Sequence, residues 1–416
     1  MKIPEKDRSI LRVLAEQTAE IAALPAQGET AELWRRLNRR EPVRPLVWIN
    51  EIPWHEMDVN GELTLQTSHE FARGVENQLR LTLYQWKHLR GDMVVAPGYY
   101  SPLVIHDTGF GIQEDVKIIR QDEKSGIVSR EFHSQIREEK DLEKIKTPVL
   151  TYDAEASERN YLALAGLIGD ILPVEKCGIV HSWFAPWDEL IRWWDVQEAL
   201  MDMVLRPELV HQAMDRLVNA YLARLDQWET LNVLSVRAGN YRVGSGGYAY
   251  TDGLPGKDFN PQRVRPVDQW GCATAQIFSD VSPEMHEAFA LQYERRWLKR
   301  FGLNYYGCCE PLHNKLDVLE SVPNLRKISM SPWANVEKMV NNVGRRYVLS
   351  HKPNPAVLAT DTWNLQLARQ NLKAVLDQTR GCAVEVILKD VSTVRYQPRR
   401  LWEWEKMTME TVAEYA

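Results

Sequence analysis

The chain has 416 residues, of which 44% are hydrophobic and 26% charged, and a formal net charge of −6. That balance is ordinary for a globular protein and long enough for one large α/β barrel or two domains. It carries no basic excess that would attract nucleic acid or an anionic membrane. No apolar run approaches membrane-spanning length, and the opening MKIPEKDRSILRVLAEQ lacks a signal-peptide core, so a cytoplasmic protein with reduced thiols is expected.

Residues 8–41 repeat apolar positions at helical spacing, broken near Pro25 and Gly28, which predicts two helices in an N-terminal extension over 1–43. The run 44–51 (RPLVWINE) reads as the first strand of a barrel domain over 44–416, followed by candidate strands at 92–98, 177–183 and 232–240. Between them, 99–150 reads as an insertion holding a β-hairpin around DEKSG. The glycine-rich run RVGSGGYAY (242–250) reads as a loop, and QWGCATAQIFSDVSPEM (269–285) as a second loop leading into a helix N-terminus, whose small residues and amides near Ser282 either admit a ligand or simply make a helix cap with a tight turn.

The last third has the clearest pattern. A helix from Pro283 feeds the strand GLNYYGCC, and strands near 324–331, 345–352 and 383–390 alternate with helices, the last helix capped by Asp361 and ended by Gly381. With the earlier candidates this makes eight strands, so the expected fold is α/β, a (β/α)8 TIM barrel with an N-terminal helical extension and a hairpin insertion. No G-x-G-x-x-G turn joins a strand to a helix, which argues against a dinucleotide fold.

Barrel chemistry sits at the C-terminal ends of strands. Those ends carry Glu51, Tyr100, His181, Asn240, Cys308, Glu310, Ser331, His351, Lys352, Lys389 and Asp390. Strand alternation on LNYYGCC puts Asn304, Tyr306 and Cys308 on one face, and sends Cys308 inward and Cys309 outward. A thiolate, a carboxylate and an imidazole are ordinary zinc ligands. Cys308 and Glu310 are therefore candidate metal ligands, the alternative being a metal-free wall; no C-x-x-C or H-E-x-x-H spacing decides between them. The 15 tryptophans read as core filler or as part of a broad aromatic cavity.

SPEMHEAF, the strand ending Tyr306-Gly307-Cys308, ISMSPWANVEKM, YVLSHKPNPAVL and VILKDVSTV together resemble the uroporphyrinogen decarboxylase-like superfamily. The likeness covers most of the chain, including AELWRRLNRREPVRPLVWINEIPWHEM. It implies a (β/α)8 barrel and, among its branches, the cobalamin-dependent methyltransferases that demethylate small methylated compounds such as methoxylated aromatics. That branch holds zinc through a His-x-Cys and a later cysteine. Here Tyr306-Gly307-Cys308 occupies the first place and Lys389-Asp390 the second, so zinc would need Glu310 or a histidine. No D-x-H-x-x-G corrinoid motif occurs, so the corrinoid is expected on a separate protein.

The resemblance therefore implies an anaerobic O-demethylase-like methyltransferase. His181, Tyr306, Glu310, His351 and Asp390 would assist the leaving group, and Glu51, Trp54, Tyr100, Trp183 and Lys389 would bind the substrate. An open mouth is expected, rimmed by 99–136 and a movable loop at 241–262. The rival readings are a carboxy-lyase using Lys352, Lys389 and Arg237, and a non-catalytic barrel that binds tetrapyrrole or cobalamin.

Overall fold

The computed structural model describes residues 2–120 and 128–416. The fold is α/β and TIM-barrel-like, built on parallel strands covered by helices. The described strands are β1 (Leu46–Ile49), β2 (Tyr99–Pro102), β3 (Val104–Asp107), β4 (Val116–Ile119), β5 (Ser129–Phe132), β6 (Leu150–Asp153), β7 (Val174–Cys177), β8 (Trp270–Ala273), β9 (Leu303–Tyr306), β10 (Leu325–Met330), β11 (Val348–His351) and β12 (Ala383–Leu388). Six of them form one sheet in the order β1-β12-β11-β10-β9-β8, with every neighbouring pair parallel. The wall continues in the parallel pair β2–β7 and a parallel bridge between Ile179 and Leu234. Among the described residues the hydrogen-bonded ladder does not run unbroken around a closed barrel.

Strands β8, β9, β11 and β12 are buried along their whole length, as parallel strands covered on both faces must be. This is why the last third of the chain reads as near-continuous apolar runs. Two helices, Glu5–Ala22 and Pro25–Arg39, precede β1; the break falls at Ala23–Leu24, with Pro25 at the first turn and Gly28 inside the second helix.

Several expectations shift. Residues 92–98 form no strand; β2 begins at Tyr99 instead, so the inserted segment starts after it. Leu234 contributes only a single bridge where a strand was expected over 232–240. Trp270–Ala273, expected as loop, is a buried strand beside β9: small residues fill a position where wider side chains would meet Asn304 and Phe301. The hairpin strands β4 and β5 pair antiparallel, while the DEKSG turn lies outside the described residues. Asn364, not Asp361, caps the helix Leu365–Gln378, its side chain accepting from the Leu367 amide at 2.9 Å.

The largest departure is the glycine-rich run. Residues 243–250 are buried, so this segment is no movable rim but a plug inside the barrel. The Gly247 amide donates to Glu385 at 2.9 Å, and Ser245 Oγ donates to the Gly307 carbonyl at 3.1 Å. Lys327 Nζ donates to the Tyr248 carbonyl at 3.2 Å and to Glu385 at 2.9 Å. A Cβ on Gly246 would stand 2.5 Å from the Glu385 carboxylate, and one on Gly247 2.6 Å from the Trp34 ring. The glycines are there because nothing larger fits.

Lys327 and Glu385 are both fully buried, and Ser350 Oγ gives the carboxylate a further hydrogen bond at 2.6 Å. Removing one partner of such a pair strands the other in a low-dielectric interior. Glu385→Ala is expected to lower stability by about 3–5 kcal/mol in urea unfolding. Glu414→Ala, which breaks the exposed pair with Lys373, is expected to change it by less than about 1 kcal/mol.

Candidate functional site

β9 ends by breaking its own alternation. Tyr305 points into the barrel, its hydroxyl 2.9 Å from Ser245 Oγ and accepting from Lys352 Nζ at 2.8 Å. Tyr306 points outward under the covering helices, where its hydroxyl donates to Glu294 at 2.6 Å and lies 2.6 Å from His286 Nε2. A π-helical turn over Glu287–Leu291 sits between His286 and Glu294 in the helix that presents them. Gly307 then adopts φ +95°, a left-handed conformation that an L side chain resists, and the period-two rule ends there. Cys308 does face inward as expected, but the turn at Gly307 puts it there, not continued alternation. The same turn brings Cys309 to the mouth as well, contrary to its expected outward place.

The mouth is an open cavity of about 440 Å3, within the range of small-molecule sites. Cys308, Cys309, Lys389, Asp390, Glu51, Arg242, Gly244, His181, Trp183, Asp188 and Gln276 line it. Arg242 pairs with Glu51, and Lys389 lies 2.6 Å from Asp390 and 3.5 Å from Glu51. Burial alone would raise the Glu51 carboxyl, but its contact with Asp390 and the cations Arg242 and Lys389 outweigh that and hold it near 2. Cys308 Sγ lies 3.5 Å from Cys309 Sγ and 3.6 Å from Lys389 Nζ. The Cys309 contact, aided by the Lys389 charge against the cost of burial, lowers the Cys308 thiol below its ordinary value.

Asp188 is the residue that sequence reasoning missed. It stands in the first turn of the helix Pro186–Trp194, where an aspartate ordinarily reads as a complement to the helix dipole. Here it turns to the mouth instead. One oxygen accepts from Gln276 Nε2 at 2.6 Å; the other is buried, with the Trp183 side chain close to the carboxylate. Burial, reinforced by the neighbouring Glu310 carboxylate, pushes Asp188 up to about 6 against the Gln276 and Trp183 hydrogen bonds and the Arg192 charge.

His181 reaches the mouth as expected, but both ring nitrogens are engaged. Nδ1 donates to the Trp270 carbonyl at 2.9 Å, and Nε2 accepts from the Gly244 amide at 2.8 Å. Burial drives it down to about 4, so it is a neutral post holding the plug to β8. Glu310 lies just beneath the mouth: its carboxylate accepts from the Cys308 amide and from Thr274 Oγ1, both at 2.8 Å.

Other expected residues lie elsewhere. His351 faces outward into a separate cavity with Ala368, Leu372 and Trp404, and burial lowers it to about 3. Its neighbour Lys352, one residue past β11, sends its ammonium inward to meet Tyr305 and Ser350. Trp54 packs edge-on against Tyr84, and Tyr100 lies under the Arg237 guanidinium at 3.7 Å; neither lines the mouth. Of the tryptophans, Trp34, Trp187, Trp194, Trp270 and Trp297 fill the core, and Trp183 alone faces the cavity.

The proposed metal ligands do not fit zinc. The Glu310 oxygens are already committed to Cys308 and Thr274, and the Lys389 ammonium stands beside the Cys308 sulfur where a cation would bind. Among the described residues no group of three or more His, Cys, Asp or Glu side chains is placed to hold a metal ion.

No known family profile matches the chain, and no curated protein matches it by sequence. Among solved structures, a methyltransferase from Methanosarcina mazei aligns with 93% of this chain and 99% of its own at a TM-score of 0.52. The sequence identity is 12%, so the likeness is one of fold.

The charge on Lys389 favours the Cys308 thiolate. Lys389→Met is expected to move the midpoint of iodoacetamide alkylation at Cys308 to higher pH, read by peptide mass spectrometry. An unchanged midpoint would remove Lys389 from the thiol's environment.

Proposed function

We propose that this chain is a methyltransferase that takes a methyl group from a small methylated compound bound at the mouth, with methoxylated aromatics as the leading class. Asp188 carries the reading. When a methyl–oxygen or methyl–nitrogen bond breaks, its electron pair stays on the heteroatom, and the leaving group needs a proton as that charge develops. A carboxyl held near 6 and lining the cavity is suited to give it. Trp183, 42% exposed and lining the same cavity, offers a face on which an aromatic ring can stack. The methyl acceptor in this reading is a reduced corrinoid delivered by a separate protein. The fold likeness to the Methanosarcina mazei methyltransferase accords with it.

A carboxy-lyase would need spare cations for its substrate's carboxylates. At the mouth Arg242 is paired with Glu51 and Lys389 with Asp390; Lys352 is tied inside the barrel, and Arg237 covers Tyr100. Resident groups already engage these cations, which favours methyl transfer.

The test supplies the protein with a panel of methyl ethers and methylamines together with reduced cobalamin, and follows methylcobalamin by its absorbance. Turnover is expected with at least one donor. Asp188→Asn is expected to lower it about 10²–10⁴-fold with an unchanged melting temperature. In the wild type the rate should fall as pH rises above about 6, as Asp188 loses its proton, and that limb should vanish in the variant. Release of carbon dioxide from a carboxylated substrate, with no methylcobalamin from any donor, would replace this reading with the lyase.

A further inference from the structure

Two thiols on consecutive residues open into the same cavity, and the reaction proposed above uses neither. Cys308 and Cys309 bring their sulfurs to 3.5 Å, both line the mouth, and Cys309 is exposed. Their surroundings are asymmetric. Lys389 Nζ stands 3.6 Å from the Cys308 sulfur, while Cys309 Sγ donates to Asp390 Oδ2 at 3.8 Å. One sulfur thus lies beside a cation that favours its thiolate, and the other donates its thiol proton to a carboxylate.

This arrangement selects among thiol ligands. The ammonium beside Cys308 opposes a divalent cation, as it opposes zinc. It does not oppose an uncharged centre, and soft sulfur donors prefer soft acceptors. A trivalent metalloid bearing hydroxyl groups meets both conditions and takes two sulfurs at once.

We propose that Cys308 and Cys309 form a dithiol site for trivalent metalloids of the arsenous class at the barrel mouth. Binding forms two sulfur–metalloid bonds and breaks two metalloid–oxygen bonds. Each hydroxyl leaves as water with one thiol proton, so no oxidant or reductant is needed. The second bond closes within one protein molecule, and its effective concentration makes the dithiol far tighter than either thiol alone. The remaining cysteines offer no such pair: Cys177 and Cys272 are buried singly, and Cys382 lines a different cavity, beside Arg345 and Tyr415. The site goes beyond the methyl-transfer reading and does not depend on it.

The probe is phenylarsine oxide added to the purified full chain, followed by intact-mass spectrometry under native conditions and by titration calorimetry. One equivalent is expected to bind and to be removed by 2,3-dimercaptopropanol but not by an equal concentration of a monothiol. Cys309→Ser, an exposed position that can be changed without disturbing the core, is expected to weaken binding by at least about a hundredfold. Cys308→Ser should do the same, and Cys382→Ser should bind as the wild type does. Wild-type affinity in Cys309→Ser, or no uptake by the folded wild type, would overturn the proposal.

Discussion

A single buried carboxylate organises the interior of this barrel. Glu385 projects from β12 and receives the Gly247 amide, the Ser350 hydroxyl and the Lys327 ammonium. Burial would raise it, but Lys327, Lys352 and these hydrogen bonds hold it below the ordinary carboxylate range. A charge buried so deeply is retained only when every lone pair is used. Here those lone pairs fasten β10, β11, β12 and the glycine plug to one point. Gly244, Gly246 and Gly247 follow from the same constraint, because the plug must pass against Tyr305, Trp34 and the carboxylate itself.

The mouth is assembled on top of that plug. Gly244 presents its amide to His181, which fixes the imidazole and links the plug to the Trp270 carbonyl of β8. Ser245 holds the Gly307 carbonyl, and Gly307 turns the chain so that both sulfurs reach the cavity. Glu310 then folds back to accept the Cys308 amide and, from below, its negative charge helps keep the Asp188 carboxyl near 6. The acid, the dithiol and the ion pairs at the mouth are therefore supported by one buried scaffold. A loop free to move would not hold a carboxyl in the partly dry setting that its raised value requires.

Much of this architecture was legible in the sequence. The alternation of strands and helices after residue 302 stood out because parallel strands covered on both faces must be apolar throughout, and glycines and helix caps mark their limits. Trp270–Ala273 stayed hidden because tryptophan, glycine, cysteine and alanine carry no alternating pattern and little β-branching. The plug was illegible for a related reason: a glycine-rich run announces a bend, and only the surrounding Trp34, Tyr305 and Glu385 show that the bend lies inside. Where two polar residues are adjacent at a strand end, as in His351-Lys352, spacing alone does not say which points inward; the lysine took the interior because Tyr305 and Ser350 wait there with acceptors. Asp188 was concealed by its position, since the first turn of a helix gives an aspartate an ordinary reason to be present.

The proposed chemistry needs a carboxyl at the mouth that titrates near 6, and such a group can be observed without knowing the substrate. Carbon-13 NMR of protein labelled at the aspartate carboxyls, followed from pH 3 to 8 and compared with Asp188→Asn, isolates that group. One carboxyl titrating near 6 in the wild type and missing from the variant is the expected result. If every aspartate completes its titration by about pH 4–5, in the ordinary range, the mouth holds no poised acid and the proposed chemistry loses its proton donor.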